Sequence, residues 1–460
     1  MSSTPRFETV LDRSALADVE GNAPTYPLTP HWNFQASYDE LHNRPFPVLS
    51  EPVRISHIAL LNDDSDRARV HSHLSELCQR YEVEAPGYGD TCFYQNFGDF
   101  EIRWEQHFEF CSYTFLVHEI AAQPFKAPPI TLIPQDWLAD MPGQLITALH
   151  VEIRQPDEHT GCRQTIRNWF DGQRLISSEI SNGQARLWSA FQLHEDSFSR
   201  VLLENHDLAG CPTGRVLRTL LELETYRNMT LLAFPLARRI GRQVTHMERQ
   251  LAEIVHEMNT MDDSSDERPH LGRLSEMATS VAELVAETRY RFDAAKAYHE
   301  LVGSRLEELN EQEVADFQTM AAFIDRRLSP AFRTVVATQN RMDDLSRRID
   351  SASEFLRTRV NMSIEAQNQE LLQSMNHRAK LQLHLQQTVE GLSVLVITYY
   401  IVALIEKMLT GVEPLASGID RGLVIAGLIP LAMALVWGFS RRWKKRLDGL
   451  EKEKEKEKEK

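Results

Sequence analysis

The sequence has few cysteines, the residues that form disulfide bonds and structural zinc sites. Its 460 residues include only five cysteines, which are Cys78, Cys92, Cys111, Cys162 and Cys211. An odd number without close spacing fits neither a disulfide framework nor a zinc ribbon, so it favours a reducing compartment. The first twenty residues also lack the apolar core of a secretory signal. We therefore expect most of the chain to be cytoplasmic.

Basic clusters and common catalytic motifs are also missing. The formal net charge is −16, which argues against a nucleic-acid partner because phosphate contacts require clustered Lys and Arg. No HExxH, GxxxxGK[ST] or GxSxG motif occurs, and Gly87-Tyr88-Gly89 lacks the third glycine of a dinucleotide fingerprint. We therefore predict no catalytic residue and no cofactor, and we expect the chain not to be an enzyme.

The N-terminal part has mixed patterns. Residues 1–35 carry several prolines and predict a loosely ordered tail. VRISHIALL (53–61) and ITALHVEIRQ predict strands, and Asp171-Gly172 predicts a hairpin turn before further short strands. We interpret residues 36–205 as an α/β cytosolic domain.

One strand prediction carries a site hypothesis. FEIRWEQHFEF (100–110) alternates aromatic and charged residues, with a turn at Asn96-Phe97-Gly98-Asp99 before it. As a single strand, it places Glu105, His107 and Glu109 on one face, where they can bind a divalent metal. The alternative is a solvated or cross-strand paired face.

Helical spacing follows Pro212. A first helix predicted to the MDDSSDERPH segment contains Pro235, an expected kink, and a second runs from about Leu271 to Leu328. These helices should pack antiparallel. A third is predicted to begin at Ser329-Pro330 and to run about 80 residues, or about 120 Å.

The third helix changes character along its length. Leu345, Ile349, Ala352 and Leu356 follow a 4-3-4 spacing that favours coiled-coil packing. Farther on, the residues become apolar, and Leu392 to Val412 is long enough to cross a bilayer. Gly422 to Phe439 forms a second span, so the sequence predicts a transmembrane hairpin in residues 391–439. The alternative is a buried hydrophobic hairpin in a soluble protein.

Charge predicts the orientation. Residues 440–460 hold a basic flank and a Glu-Lys repeat, and positive flanks stay on the inner side. Two spans then place both termini in the cytoplasm, at a bacterial inner membrane. Thr398, Tyr399 and Tyr400 lie near the centre of the first span, where hydroxyl groups need partners. They contact the second helix of the hairpin or a backbone carbonyl, or they line an oligomeric pore.

Several segments resemble one bacterial family. They include LHNRPFP (41–47), LELETYRNMTLLAFPLAR (221–238), FIDRRLSPAFRT (323–334) and LQLHLQQTVEGLSVLVITYY (381–400). The chain resembles the Domain of Unknown Function 3422 family of membrane-anchored proteins. The resemblance implies membrane anchoring, and it supplies no catalytic residue that could be carried over to this chain.

The layout is also similar to that of CorA-type magnesium transporters. These have a cytosolic α/β domain and a very long helix that enters the first of two C-terminal spans. The Gly-Met-Asn sequence of their selectivity loop does not occur here.

The fold prediction is therefore α+β: an α/β cytosolic domain, long antiparallel, coiled-coil-like helices in residues 206–390, and the membrane hairpin. Our first functional hypothesis is a membrane-anchored, cytoplasm-facing protein of unknown activity that acts by homo-oligomeric assembly or interaction. The second is a CorA-like divalent cation transporter or channel. A weaker third is an enzyme with a pocket around His42, Arg44, Glu105 and His107.

Overall fold

The computed structural model describes residues 52–63, 65–119, 121, 123–156, 162–260, 267–410 and 425–442, together with positions 28, 31, 34, 38, 48 and 49. The chain forms two compact units. The first comprises residues 1–253 and 276–349, and the second comprises residues 254–275 and 350–460. Most strands lie in the first half of the chain and the long helices follow them, so the fold is α+β, as predicted.

The described strands of the first unit form a nine-stranded mixed sheet with the order β2-β3-β4-β1-β5-β8-β7-β6-β9. Their bounds are β1 Val53–Leu61, β2 Cys92–Asn96, β3 Glu101–Gln106, β4 Phe110–Val117, β5 Gln144–Arg154, β6 Ile176–Ile180, β7 Ala185–Ser189, β8 Ser199–Asn205 and β9 Gln312–Glu313. Only β5 and β8 pair in parallel among these strands.

Strand β1 forms where the sequence predicted it, because its β-branched and apolar residues suit a strand buried on both faces. Between the strands lie the short helices α1 (Arg67–Arg80), α2 (Gln135–Ala139) and α3 (Arg163–Trp169), and a 3₁₀ turn over Pro129–Leu132.

The long strand predicted over residues 100–110 is wrong. The chain reverses after β3, and His107 N donates a hydrogen bond to Phe110 O (2.8 Å) that closes the turn. The aromatic alternation continues through the reversal, which has no glycine or proline to mark it. The earlier turn is confirmed, because Gly98 joins β2 to β3 with φ +95°.

The hairpin turn predicted at Asp171-Gly172 is also wrong. Both residues have positive φ, but they follow α3 and precede β6. Gly172 N donates to Arg167 O (2.9 Å), which is the hydrogen bond of a helix end. An Asp-Gly pair, which the sequence suggests as a hairpin turn, thus ends helix α3 in this protein.

Helices α4 (Gly210–Leu231), α5 (Ala233–Thr260) and α6 (Arg268–Glu308) follow the sheet. Pro235 accounts for the break between α4 and α5, because its ring conflicts with the carbonyl of Leu231, where α4 ends. The antiparallel packing is confirmed by ion pairs within the first unit. Glu222 pairs with Arg305, and farther along α5 Arg239 pairs with the earlier Glu287 of α6.

The predicted boundary between the second and third helices is wrong by some twenty residues. Helix α6 ends at Glu308, where Asn310 takes a left-handed conformation (φ +48°), and α7 (Met320–Thr410) begins only after β9. Such a left-handed residue at a helix end is usually glycine and sometimes asparagine. Pro330, predicted to begin the helix, lies inside α7 and is exposed.

The predicted 4-3-4 positions of α7 are all buried, namely Leu345, Ile349, Ala352 and Leu356. In the second unit, Arg359 pairs with Glu267 (2.8 Å) and donates to Met258 O. Every described residue from 361 to 389 is exposed. Packing within the chain is therefore interrupted over residues 361–389, although the helix continues.

Candidate functional site

The three residues predicted to share a metal site lie around the β3–β4 reversal. Glu105 is in β3, where Arg103 Nη2 donates to its carboxylate (2.8 Å). Burial, the largest single effect, raises the pKa of Glu105, but the charge and hydrogen bond of Arg103 together with the nearby His107 and Arg218 hold the pKa below its usual value. The His107 ring stacks on Phe110, with centroids 4.2 Å apart.

Glu109 faces α6. Its carboxylate oxygens lie 2.9 and 3.0 Å from the two terminal nitrogens of Arg291, a bidentate pair with both side chains largely buried. Burial and the Glu109 carboxylate raise the pKa of Tyr298 far above its usual value. Among the described residues, no group of three or more His, Cys, Asp and Glu side chains is placed to hold a metal ion. The geometry does not support the metal hypothesis.

Glu105 and His107 do line one small cavity, together with Arg218, Glu222 and Tyr226 of α4. Its volume is about 20 Å³, room for about one water molecule. The cavity is too small for a substrate. His42 and Arg44, the other members of the predicted enzyme pocket, lie outside the described residues.

His57 closes the same cavity from β1. Its Nε2 lies 3.2 Å from the hydroxyl of Thr225, which itself donates to Leu221 O. The Thr225 oxygen therefore accepts from Nε2–H, and Nδ1 accepts from the Thr114 hydroxyl at 2.9 Å. Burial lowers the pKa of His57 to about 4. His57 is a neutral histidine that joins the sheet to α4.

The opposite face of the sheet holds a polar cluster that the sequence did not indicate. Ser56 of β1 lies beside His150 of β5, with 3.0 Å between Oγ and Nδ1. His150 Nε2 is 3.6 Å from a carboxylate oxygen of Asp196, and Arg200 of β8 adjoins the same oxygen at 3.6 Å. A second histidine, His194, donates from Nδ1 to a carboxylate oxygen of Asp171 (2.6 Å).

These residue types match a Ser-His-Asp set, but the arrangement is not that of a nucleophile. Ser56 is fully buried, and its oxygen accepts a hydrogen bond from Ile130 N (3.2 Å). The His150 ring is covered by Phe198 at 4.0 Å, and burial lowers its pKa to about 4. A nucleophile must reach its substrate, so this cluster stabilises the sheet and its covering loops.

An exposed aromatic pair borders the Glu109–Arg291 ion pair. Phe108, at the tip of the β3–β4 turn, is 67% exposed, and Tyr290 of α6 is 55% exposed, with ring centroids 6.5 Å apart. Two open grooves of about 780 and 610 Å³ adjoin this pair. The strand predicted over residues 100–110 places Phe108 on its apolar face, so the sequence does not indicate this exposed pair.

The predicted membrane segments are the remaining candidate site. The C-terminal part of α7 and helix α8 (Ile425–Arg442) are both long and apolar enough to cross a membrane. Leu392 and Phe439 lie in these helices and are exposed, whereas Val412 and Gly422 lie outside the described residues.

The polar residues of the first span are placed differently from one another. Thr398 is 5% exposed and donates to Val394 O of its own helix (2.7 Å). Tyr399 and Tyr400 are 71% and 63% exposed. The buried face of the helix therefore passes through Thr398, and the partners expected for Tyr399 and Tyr400 stay a prediction.

Large apolar side chains cover the outside of this helix pair. The exposed ones include Leu392, Leu395, Val396, Ile397, Leu404, Ile429, Leu431, Leu435, Trp437 and Phe439. A hydrophobic hairpin inside a soluble protein would bury such residues. Ala432 is the only described residue of α8 that is buried.

Comparison with known proteins gives one match. The family described as a protein of unknown function (DUF3422) matches residues 30–447. The chain belongs to this family. The segments that carried the resemblance to DUF3422 all lie within the match. No curated protein and no solved structure matches the chain, so the layout shared with CorA-type transporters has no support from comparison.

Proposed function

We propose that this DUF3422 protein is anchored in a membrane by the end of α7 and by α8, and that it acts from the cytoplasmic face by assembly or interaction. The observation that carries the proposal is the exposed apolar surface of these two helices. Each large apolar side chain left in water forgoes about 1.5–3 kcal/mol relative to burial. Lipid removes that cost, and it suits helices of this length.

The rest of the chain supports action by interaction better than catalysis. The ionisable groups beneath α4 are paired around a cavity that holds about one water molecule. The Ser56–His150 cluster is closed to solvent. The exposed Phe108 and Tyr290 and the long exposed stretch of α7 are surfaces for other molecules.

Fractionation and labelling test the anchoring. The full chain should remain in the membrane pellet after alkaline carbonate, whereas deletion of residues 391–446 should release a folded, soluble protein. Cys162 and Cys211 are exposed, so an impermeant maleimide added to intact bacteria should leave both unlabelled and should label them after lysis. A full chain in the soluble fraction, or labelling from outside, would contradict the proposal.

Transport has no specific observation in its favour. The Thr398 hydroxyl is bonded within its own helix and faces away from the exposed side. It is therefore poorly placed to line an axis between copies. Ion flux in liposomes that contain the purified chain is the direct test of that alternative.

A further inference from the structure

The exposed part of α7 carries a regular heptad stripe. Starting at Ile364 and ending at Tyr399, alternating steps of four and three residues give the positions Ile364, Asn368, Leu371, Met375, Arg378, Gln382, Leu385, Val389, Leu392, Val396 and Tyr399. All of them are exposed. Such a spacing keeps one seam of a helix facing a parallel neighbour.

Apolar side chains concentrate on this stripe. Residues 361–390 contain nine exposed large hydrophobic residues, and five of these lie on the eight stripe positions of that segment. The other four are distributed over the remaining 22 positions. The preference marks one face of the helix as a contact surface, since a helix that only spans solvent has no reason to favour a face.

The helix also lacks the local stabilisation that a solitary helix needs. No ion pair involves residues 361–389, all of which the structure describes. Isolated helices in water rely on such i,i+4 pairs and on high helix propensity, and remain marginal even then. The segment contains several residues of low propensity, such as Asn361, Asn368 and Asn376. Contact with another helix would supply the missing stability.

We propose that a second copy of this chain binds along the Ile364–Tyr399 stripe, parallel and in register. This inference rests on the membrane anchoring proposed above. Copies held in one bilayer by identical spans have the same direction and depth, so each stripe residue meets its own counterpart. A heptad seam is self-complementary in that arrangement.

The size and polarity of the stripe suit this occupant. Its 36 residues span about 54 Å, and a seam about 10 Å wide on each copy buries about 1,100 Å² in total, near the lower bound for specific interfaces. Asn368 meets Asn368 of the other copy, a pairing that fixes register in parallel two-stranded coils. Arg378 meets Arg378 of the other copy, and the repulsion between these like charges weakens the association at the centre of the seam. A substitution at this position should therefore change the affinity between the copies.

Site-specific cross-linking of the full chain in membranes tests the proposal. In a background with Cys162→Ser and Cys211→Ser, Leu385→Cys should form a disulfide-linked dimer on mild oxidation. Leu383→Cys is the matched control, because Leu383 is similarly exposed (58% against 67%) but lies on the opposite face. We expect at least a fivefold higher dimer yield at position 385.

A second pair of variants tests the energetics without cysteine chemistry. Leu371→Asp should shift the detergent-solubilised chain from dimer to monomer on native gels. Arg378→Leu should strengthen association at least tenfold, because it removes the like-charge contact and extends the apolar seam.

The outcomes separate this inference from the anchoring on which it rests. A chain that stays in the membrane pellet but cross-links equally at positions 383 and 385, or that is monomeric, refutes the stripe and leaves anchoring intact. A cross-link from position 385 to a different protein also overturns the proposal, because the occupant is then not a second copy. A chain that leaves the membrane refutes the anchoring itself.

Discussion

Glu109 offers the sharpest test of the body of the protein, because the sequence and the structure assign it different roles. The sequence predicts that Glu109 is a metal ligand, whereas in the structure Glu109 forms a bidentate ion pair with Arg291. In Glu109→Gln, the side chain keeps its size and loses its charge. Arg291 then remains largely buried without its charged partner.

The expected cost follows from burial. The two side chains are 8% and 16% exposed, and removing one partner of a buried pair costs about 3–5 kcal/mol. Because Arg291 retains some solvent contact, we expect the lower end, about 3 kcal/mol. For a domain of this size, each kcal/mol lowers Tm by about 2 °C, so Tm should fall by about 6 °C.

Thermal unfolding of the detergent-solubilised full chain, followed by tryptophan fluorescence, measures this change. Asp316→Asn is the control, because Asp316 pairs with Arg163 at the surface (76% and 60% exposed). Exposed pairs contribute about 0–1 kcal/mol, so Tm should change by less than about 2 °C. The double variant Glu109→Gln/Arg291→Met should recover most of the loss, since no buried charge remains.

A chelator distinguishes the two roles of Glu109. The ion pair predicts that EDTA leaves the Tm of the unsubstituted chain unchanged. A metal ligand predicts that EDTA lowers it and that Glu109→Gln abolishes this effect. The ion-pair interpretation fails if Glu109→Gln unfolds within 1 °C of the unsubstituted chain, or if EDTA reproduces the loss.

Three further predictions concern stability. The folded pKa of His57 (about 4) lies below the usual 6.5. As the pH falls, the unfolded chain therefore binds a proton before the folded chain does, and the free energy of unfolding decreases between pH 6.5 and pH 4. His57→Gln should remove about 2 kcal/mol of the decrease in the free energy of unfolding between pH 7 and pH 5. An unchanged pH profile of Tm would contradict this. Pro330→Ala should raise Tm, because the exposed alanine supplies an N–H that can donate to the Arg326 carbonyl. A lower Tm would show that the proline ring stabilises the helix. Gly210→Ala should cost about 1–3 kcal/mol in urea unfolding, because a Cβ would lie 2.8 Å from Leu49 O; full stability would mean that this segment shifts freely.

The main helices and strands were predictable where the residue types and their spacing within a short segment determine the structure. Strand β1 appears as predicted because its β-branched and apolar residues suit a strand buried on both faces. The buried 345–356 positions of α7 appear as predicted because steps of three and four residues reflect which face of a helix is covered. The kink at Pro235 follows from the proline ring alone. The apolar character of the two C-terminal helices is likewise a property of composition.

The sequence predictions were wrong where the boundary of a strand or helix involves contacts between residues far apart in the chain. Nothing local distinguishes the turn at residues 107–109 from a continued strand, and its Glu109 pairs with Arg291, 182 residues later, a contact that no short segment records. Ser329-Pro330 has the chemistry of a helix start, yet α7 begins at Met320, whose N–H donates to Ser178 of β6 and to Glu311. A proline is tolerated in the eleventh position of a helix once the surrounding packing holds that helix.

The candidate sites divide in the same way. The sequence alone determined that the chain has two long apolar segments and no recognised catalytic motif, because these depend only on the order of side chains. The heptad spacing of residues 364–399 is also present in the sequence, but only the structure shows that this face of the helix is exposed. Which polar groups meet was decided by the tertiary structure: Ser56 with His150, His57 with Thr114 and Thr225, and Thr398 turned inward while Tyr399 is turned outward. Pairing across a sheet joins residues far apart in the chain, and no short-range pattern records that choice.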